Sequence, residues 1–144
     1  MFFDSHAHIV CADQGAYPPR PLRGELTPGE FDDPMTVERL VAAMDDQGVA
    51  CACAVQRAHV YGYDNSYTLD SAARFPDRFR TVVVLDPLDP ATPGELKRLV
   101  DERGIAGVRY SSPGFPHAPL DWIDSDAASA AWRAAADLGL PICI

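Results

Sequence analysis

The sequence predicts an α/β fold with a parallel sheet, and three observations carry that prediction. Segments with strand character and segments with helix character alternate strictly along the 144 residues. The strand segments are short continuous apolar runs, such as VACACAV (49–55) and RTVVVL (80–85), the pattern of strands buried on both faces. The helical segments each show one apolar face and recognisable start or stop residues. The order β-α-β-α-β-α-β-α-β requires crossover helices between parallel strands. Two architectures satisfy it, a doubly wound open sheet and a (β/α)8 barrel.

FFDSHAHI (2–9) reads as the first strand. The segment 10–35 has no periodicity and contains Pro18, Pro19, Pro21, Pro28 and Pro34, so it reads as a loop. Loops of that length inside a compact domain usually cover or bind something. TVERLVAAMDDQG (36–48) is a helix, with Val37, Leu40, Val41 and Met44 on one face and Gly48 placed to end it. The strand 49–55 follows. DNSYTLDSAARFP (64–76) is a weaker helix, with Asp64 or Asn65 as cap and Pro76 as stop. The β-branched run 80–85 is the third strand. TPGELKRLVDERG (92–104) carries helix start signals: Thr92 as N-cap, Pro93 in the first turn and Glu95 completing a capping box. IAGVRY (105–110) is the fourth strand. SDAASAAWRAAADLG (125–139) is the fourth helix, with Ala128, Ala131, Trp132, Ala135 and Leu138 toward the core, and PICI (141–144) begins a fifth strand.

Four βα units and one strand are about half of a barrel, which typically needs ~250 residues. The chain ends on apolar residues inside that fifth strand, so the expectation is the N-terminal part of a longer domain, with 1–144 a single apparently truncated unit. Two outer strands with unpaired edges would then favour self-association, so a homo-oligomer is one expected partner state.

Composition narrows the function classes. The chain is 47% hydrophobic and 23% charged, enough to bury a core, and its net charge is −9. That balance argues against a nucleic-acid partner, which requires a basic stripe. No apolar stretch approaches membrane length and no basic segment precedes the first apolar residues, so neither a membrane partner nor a leader is expected. The four cysteines, Cys11, Cys51, Cys53 and Cys143, form no CxxC pair and read as small buried hydrophobes in a reducing, cytoplasmic setting. No G-x-G-x-x-G follows the first strand, so dinucleotide binding is unsupported.

The chemistry concentrates at the first strand. Residues two apart on a strand point to one face, so Asp4, His6 and His8 share a face near its C-terminal end. Two imidazoles one pleat apart can converge on a single cation. An isolated H-x-H also fits two histidines at a surface strand end. The aspartate before the pair and the long loop after it favour the metal reading.

FDSHAHI resembles the first-strand metal motif of the amidohydrolase superfamily. The segment from VQRAH through PDRFRTVVVLDP (55–87), followed by GIAGVRY (104–110), resembles the amidohydrolase-related group that holds sugar lactonases, the pyrone-dicarboxylate lactonase and related decarboxylases. The resemblance implies a (β/α)8 barrel, of which this chain would be the N-terminal half. The nuclease branch carries a Gly-Glu-x-Gly segment after the fourth strand, where this chain reads GVRY, and the binuclear branch needs a lysine there, which is absent. What the resemblance leaves is a site with one divalent metal, zinc by ligand type, on His6 and His8; some lactonases of the group work without a metal, and that is the alternative. It further implies histidines after the fifth and sixth strands and an aspartate base after the eighth, all beyond Ile144.

Arg109 ends the fourth strand within GVR and is expected to clamp a substrate carboxylate and to act with His6 and His8 in catalysis. Gln56 and Arg57 end the second strand at the same rim, and with Tyr61 they are expected substrate contacts. His59, Tyr63, Asp64 and Asn65 follow in the second loop, where some shape the pocket and Asp64 or Asn65 caps the helix. Asp86 ends the third strand, as a turn residue or a site residue. Tyr17, Arg20 and Arg23 lie in the first loop and could cover an anionic substrate. His117 reads as a surface residue near the mouth, and Asp4 as an orienting or floor residue. The expected activity is hydrolysis of a lactone or other cyclic ester or amide of a small carboxylated substrate, by base-activated water. The alternatives are a non-redox decarboxylase on the same barrel, and an inactive fragment or half-barrel association module.

Overall fold

The computed structural model describes residues 2–22, 24–111 and 120–144. Arg23 and His117 lie outside the described residues.

Five strands form one sheet: β1 (Phe2–Ala7), β2 (Val49–Val55), β3 (Phe79–Leu85), β4 (Gly107–Tyr110) and β5 (Ile142–Cys143). Every neighbouring pair is parallel, and the order across the sheet is the order along the chain. A doubly wound sheet reverses direction at a switch point. The unreversed order here is that of half a (β/α)8 barrel, which settles the choice the sequence left open. The helices are α1 (Val37–Gln47), α2 (Ala58–Tyr61), α3 (Ser66–Arg74), α4 (Thr92–Arg103) and α5 (Asp126–Asp137).

The helices pack on one face of the sheet in two clusters. Val83, Leu85, Val108 and Tyr110 meet Leu96 and Leu99 of α4 and Ala128, Ala131 and Ala135 of α5. Ala7, Ala52, Ala54 and Phe79 meet Val37 and Met44 of α1, with Leu40 and Val41 at its border. The apolar stripes expected for α1 and α5 are therefore the faces that are buried, each large residue contributing ~1.5–3 kcal/mol by leaving water. The strand faces are less alike than the sequence implies. Ala52 and Ala54 are buried, but Cys51 and Cys53 on the opposite face are only half-buried, because that face has no second layer among the described residues.

Helix ends follow the sequence signals at α1 and depart from them at the starts of α3 and α4. Thr36 caps α1 through its hydroxyl, and Gly48 ends it in the left-handed region. Ser125 caps α5 by accepting the Ala128 N–H at 3.2 Å. At α4 the cap position is Ala91, and Thr92 is already helical; its hydroxyl donates instead to the Asp86 carbonyl at 2.5 Å. The expected capping box is thus replaced by a tie from α4 back to the end of β3. The short helix α2 carries no readable periodicity, and four residues are too few to show one.

At the N-terminal end of the sheet Arg78 closes the structure. Its guanidinium donates to the Ala50 and Val49 carbonyls at 3.0 and 3.1 Å and pairs with Asp45 at 2.7 Å. Phe2, Phe3, Ile142 and Ile144 are exposed apolar residues on or beside the two outer strands. No helix among the described residues is long and apolar enough to cross a membrane.

Candidate active site

The site gathers at the C-terminal end of the sheet. The first strand ends at Ala7, and its pairing with β2 is irregular between Asp4 and Ala7, so the simple alternation of the sequence pattern does not extend to His8. The carboxylate of Asp4 accepts the His6 backbone N–H at 3.0 Å, which stabilises that irregular stretch. Asp4 therefore shapes the backbone that presents the first histidine.

The two imidazoles still converge. His6 Nε2 and His8 Nε2 are 3.2 Å apart, with the rings edge to face at 86°. His8 Nδ1 lies 2.7 Å from the Val55 carbonyl oxygen. A carbonyl only accepts, so Nδ1 carries the proton, and the lone pair of neutral His8 is on Nε2, facing His6. Burial holds the His8 pKa below its ordinary value of 6.5, and the positive charges of Arg57 and Arg109 lower it further; the Val55 hydrogen bond opposes this. His8 is thus kept as a neutral imidazole whose Nδ1–H is fixed by backbone, the second-shell arrangement that a metal-ligating histidine would need.

The donor set fits a divalent cation. Two nitrogens bound to one tetrahedral ion at ~2.0–2.1 Å lie about 3.3–3.4 Å apart, close to the observed separation. Among the described residues no group of three or more His, Cys, Asp or Glu side chains is placed to hold a metal ion, so the pair His6 and His8 is what the described residues offer such an ion.

The remaining sequence-predicted residues divide by what they touch. Arg109 is half-buried on β4, opposite Val84 of β3 and Cys143 of β5, and its charge reaches His8. Arg57 reaches His8 in the same way, while its guanidinium makes a two-pronged pair with Glu30, at 3.0 and 3.2 Å. Gln56 is fully buried, and its amide donates to the Gly62 and Asp64 carbonyls, both at 2.8 Å. Tyr61 is buried; its hydroxyl oxygen accepts the Cys11 N–H at 2.8 Å, and burial pushes its pKa up to about 12. Asn65 sits at the cap position of α3 without capping it: its side chain joins Tyr63 to both backbone groups of Val84, and Asp64 accepts the Ser66 N–H instead. Tyr63 donates to the Ser111 carbonyl at 2.6 Å, and burial, then the Asp86 charge, raise its pKa. Asp86 itself accepts the Leu88 N–H in a turn.

His59 lies on α2. Tyr17 is turned away toward α3, where it donates to Asp70 at 3.1 Å and packs on Tyr67. The Arg20 side chain is exposed, while its backbone N–H donates to Val60. Two participants were not foreseen. Glu30 is one of several acids in an aperiodic loop, and nothing in the sequence singles it out as the partner of Arg57. The Val55 carbonyl is backbone and has no side-chain signal at all.

The amidohydrolase family profile matches residues 3–144. The chain belongs to the amidohydrolase family. Solved structures similar to this amidohydrolase chain agree on the fold. A probable 2-pyrone-4,6-dicarboxylic acid hydrolase from Acinetobacter baumannii, with citric acid bound, superposes with a TM-score of 0.75 at 21% identity, over 98% of this chain and 48% of that one. The 5-carboxyvanillate decarboxylase of Novosphingobium aromaticivorans, with bound manganese and a nitrobenzoic acid, gives 0.70 at 18%, over 99% and 49%. The 2,6-dihydroxybenzoate decarboxylase from Rhizobium gives 0.71 at 18%, over 98% and 48%. This amidohydrolase chain therefore spans about half the length of the solved structures it matches. Among the curated proteins nothing matches it.

Proposed function

We propose that the 144 residues are the N-terminal part of a barrel enzyme that uses a divalent cation to act on a small carboxylated ring compound, hydrolysing a lactone or another cyclic ester or amide. One observation carries the reading: two histidine Nε2 atoms 3.2 Å apart, one of them held neutral with its Nδ1–H on the Val55 carbonyl. His6 and His8 would hold the cation, with further ligands supplied from outside this chain. Such an ion supplies Lewis-acid polarisation of a carbonyl oxygen.

The chain's own residues do the rest of what falls to this half. Arg109 offers a guanidinium beside the histidines, suited to a planar carboxylate. Arg57 adds positive charge at the same rim, and Gln56 and Tyr61 hold the rim backbone against which a substrate would lie. Attack by water requires a base, which this reading assigns to an aspartate beyond Ile144.

A second reading, non-redox decarboxylation, has its own support. Two of the three similar structures above are decarboxylases acting on ring carboxylates, and the third is named a hydrolase of a dicarboxylic acid. Both readings need the same cation and the same carboxylate clamp. The test is to supply the protein, loaded with manganese or zinc, with a carboxylated lactone and with a hydroxylated benzoate. The first reading expects acid release from the lactone without CO2; CO2 from the benzoate with an intact lactone would replace it by the second. A protein inert to both would leave the chain an isolated half-barrel without activity.

A further inference from the structure

We infer that the Glu30–Arg57 ion pair positions the first loop on the tip of β2 and, through that tip, holds His8 in its ligating orientation. The inference rests on the cation reading of the histidine pair for its second half only; the loop clamp has an observable of its own.

Val55 ends β2 and Gln56 and Arg57 follow it directly, and each of the three holds a different part of the rim. Val55 accepts the His8 ring proton. Gln56 gathers the carbonyls of Gly62 and Asp64. Arg57 grips Glu30 with two parallel hydrogen bonds. Glu30 lies deep in the 10–35 loop, yet its side chain is only 8% exposed. A carboxylate so far removed from water persists only against a paired cation. Lifting the loop would break the pair and strand Arg57 next to His8. The two-pronged geometry also fixes orientation, which a single contact would not.

The same seam is closed elsewhere by backbone N–H donors of the loop. The Arg20 N–H donates to Val60 at 2.7 Å, and the Cys11 N–H to the Tyr61 hydroxyl at 2.8 Å. Gly62 takes a positive φ of 59° and lies against the Arg20 carbonyl, where a Cβ would collide. The neck of the loop is tied by the Val10 N–H to Met35 at 2.9 Å, two residues after His8. The loop thus begins just after His8, returns to the same segment, and is locked at Glu30 onto the residues that follow the strand whose carbonyl orients His8. Glu30 and Arg57 act through His8, so they are positioning residues.

The experiment is hydrogen exchange of the Cys11 and Arg20 amides, together with manganese titration, in wild type, Glu30→Ala, Glu30→Gln and a control, Arg78→Ala. The control weakens the opposite end of the sheet. In Glu30→Ala the two amides are expected to exchange at least ~10-fold faster while the Val84 amide is unchanged. Manganese affinity is expected to fall about 10-fold, the scale of an outer-shell loss. Glu30→Gln should fall between, and it carries the same comparison if Glu30→Ala does not fold. Arg78→Ala should move neither readout. Unchanged exchange at both amides, or an equal rise in Arg78→Ala, would overturn the clamp. A loosened loop with unaltered manganese affinity would overturn its link to His8. A wild type that takes up no manganese would remove the cation reading, and the exchange comparison would still decide the clamp.

Discussion

The two ends of the sheet use arginine differently. At the N-terminal end Arg78 faces three acceptors, two backbone carbonyls and Asp45, all of which belong to β2 and the helix before it. Each of its three guanidinium nitrogens meets an acceptor of the scaffold, and the result is a closed end. At the C-terminal end Arg57 grips a loop rather than the scaffold, and both it and Arg109 direct charge toward an imidazole. That charge helps to keep His8 unprotonated, so it acts on the histidine pair rather than on the scaffold. Barrel proteins separate these tasks, stability at the bottom and chemistry at the top, and half a barrel already displays the division.

Removing one imidazole of the pair breaks the comparison most sharply. His6→Ala or His8→Ala is expected to lower manganese or zinc affinity by more than the ~10–100-fold typical of an outer-shell loss, with little change in thermal midpoint. Calorimetric titration and a melting curve on the same samples check both halves of that statement. Gly62→Ala should destabilise by about 2–3 kcal/mol, because a Cβ there is strained by the positive φ and also meets the Arg20 carbonyl. Denaturant unfolding reads the loss. Arg78→Ala is expected to cost about 2 kcal/mol, since two carbonyls lose a charged donor, and to leave metal affinity alone. A fall in affinity there would mean that the two ends are coupled.

The fold was legible to the extent that it is periodic. The apolar faces of α1 and α5 and the alternation of elements are consequences of burial, and burial writes itself into residue type. Strand order was not legible, because a doubly wound sheet and a barrel bury the same runs. It took the parallel sequence of pairings from β1 to β5 to separate them. The histidine pair was readable from its spacing. The geometry behind it was not: the irregular stretch between Asp4 and Ala7 and the Val55 carbonyl are backbone features without a residue code. Thr92 reversed its expected role for a related reason. A hydroxyl at a helix start can cap its own helix or reach a neighbouring strand, and only tertiary structure decides. Glu30 was invisible because it lies in an aperiodic loop and its partner is 27 positions away, beyond α1 and β2.

The smallest expected effect is on pH. The His8 pKa is lowered by folding, so its proton leaves at a lower pH than from an exposed imidazole. Metal uptake should therefore persist somewhat below pH 6.5 before protonation competes. The unfolded chain binds more protons than the folded one in that same window, so the stability of the metal-free chain should decline as pH falls through 6.5 and remain level above it. Titrations of affinity and of unfolding free energy between neutral and mildly acidic pH test both trends. A metal-free chain that gains stability on acidification would contradict the assignment of His8 as a buried neutral imidazole.

The central claim is that His6 and His8 share one cation. Its most direct test is the electron paramagnetic resonance spectrum of manganese titrated into the purified chain, in wild type and in each single histidine variant. The account predicts one ion per wild-type chain and loss of the bound signal in both His6→Ala and His8→Ala. A bound signal that survives unchanged in both variants, or no bound signal in the wild type, would contradict it.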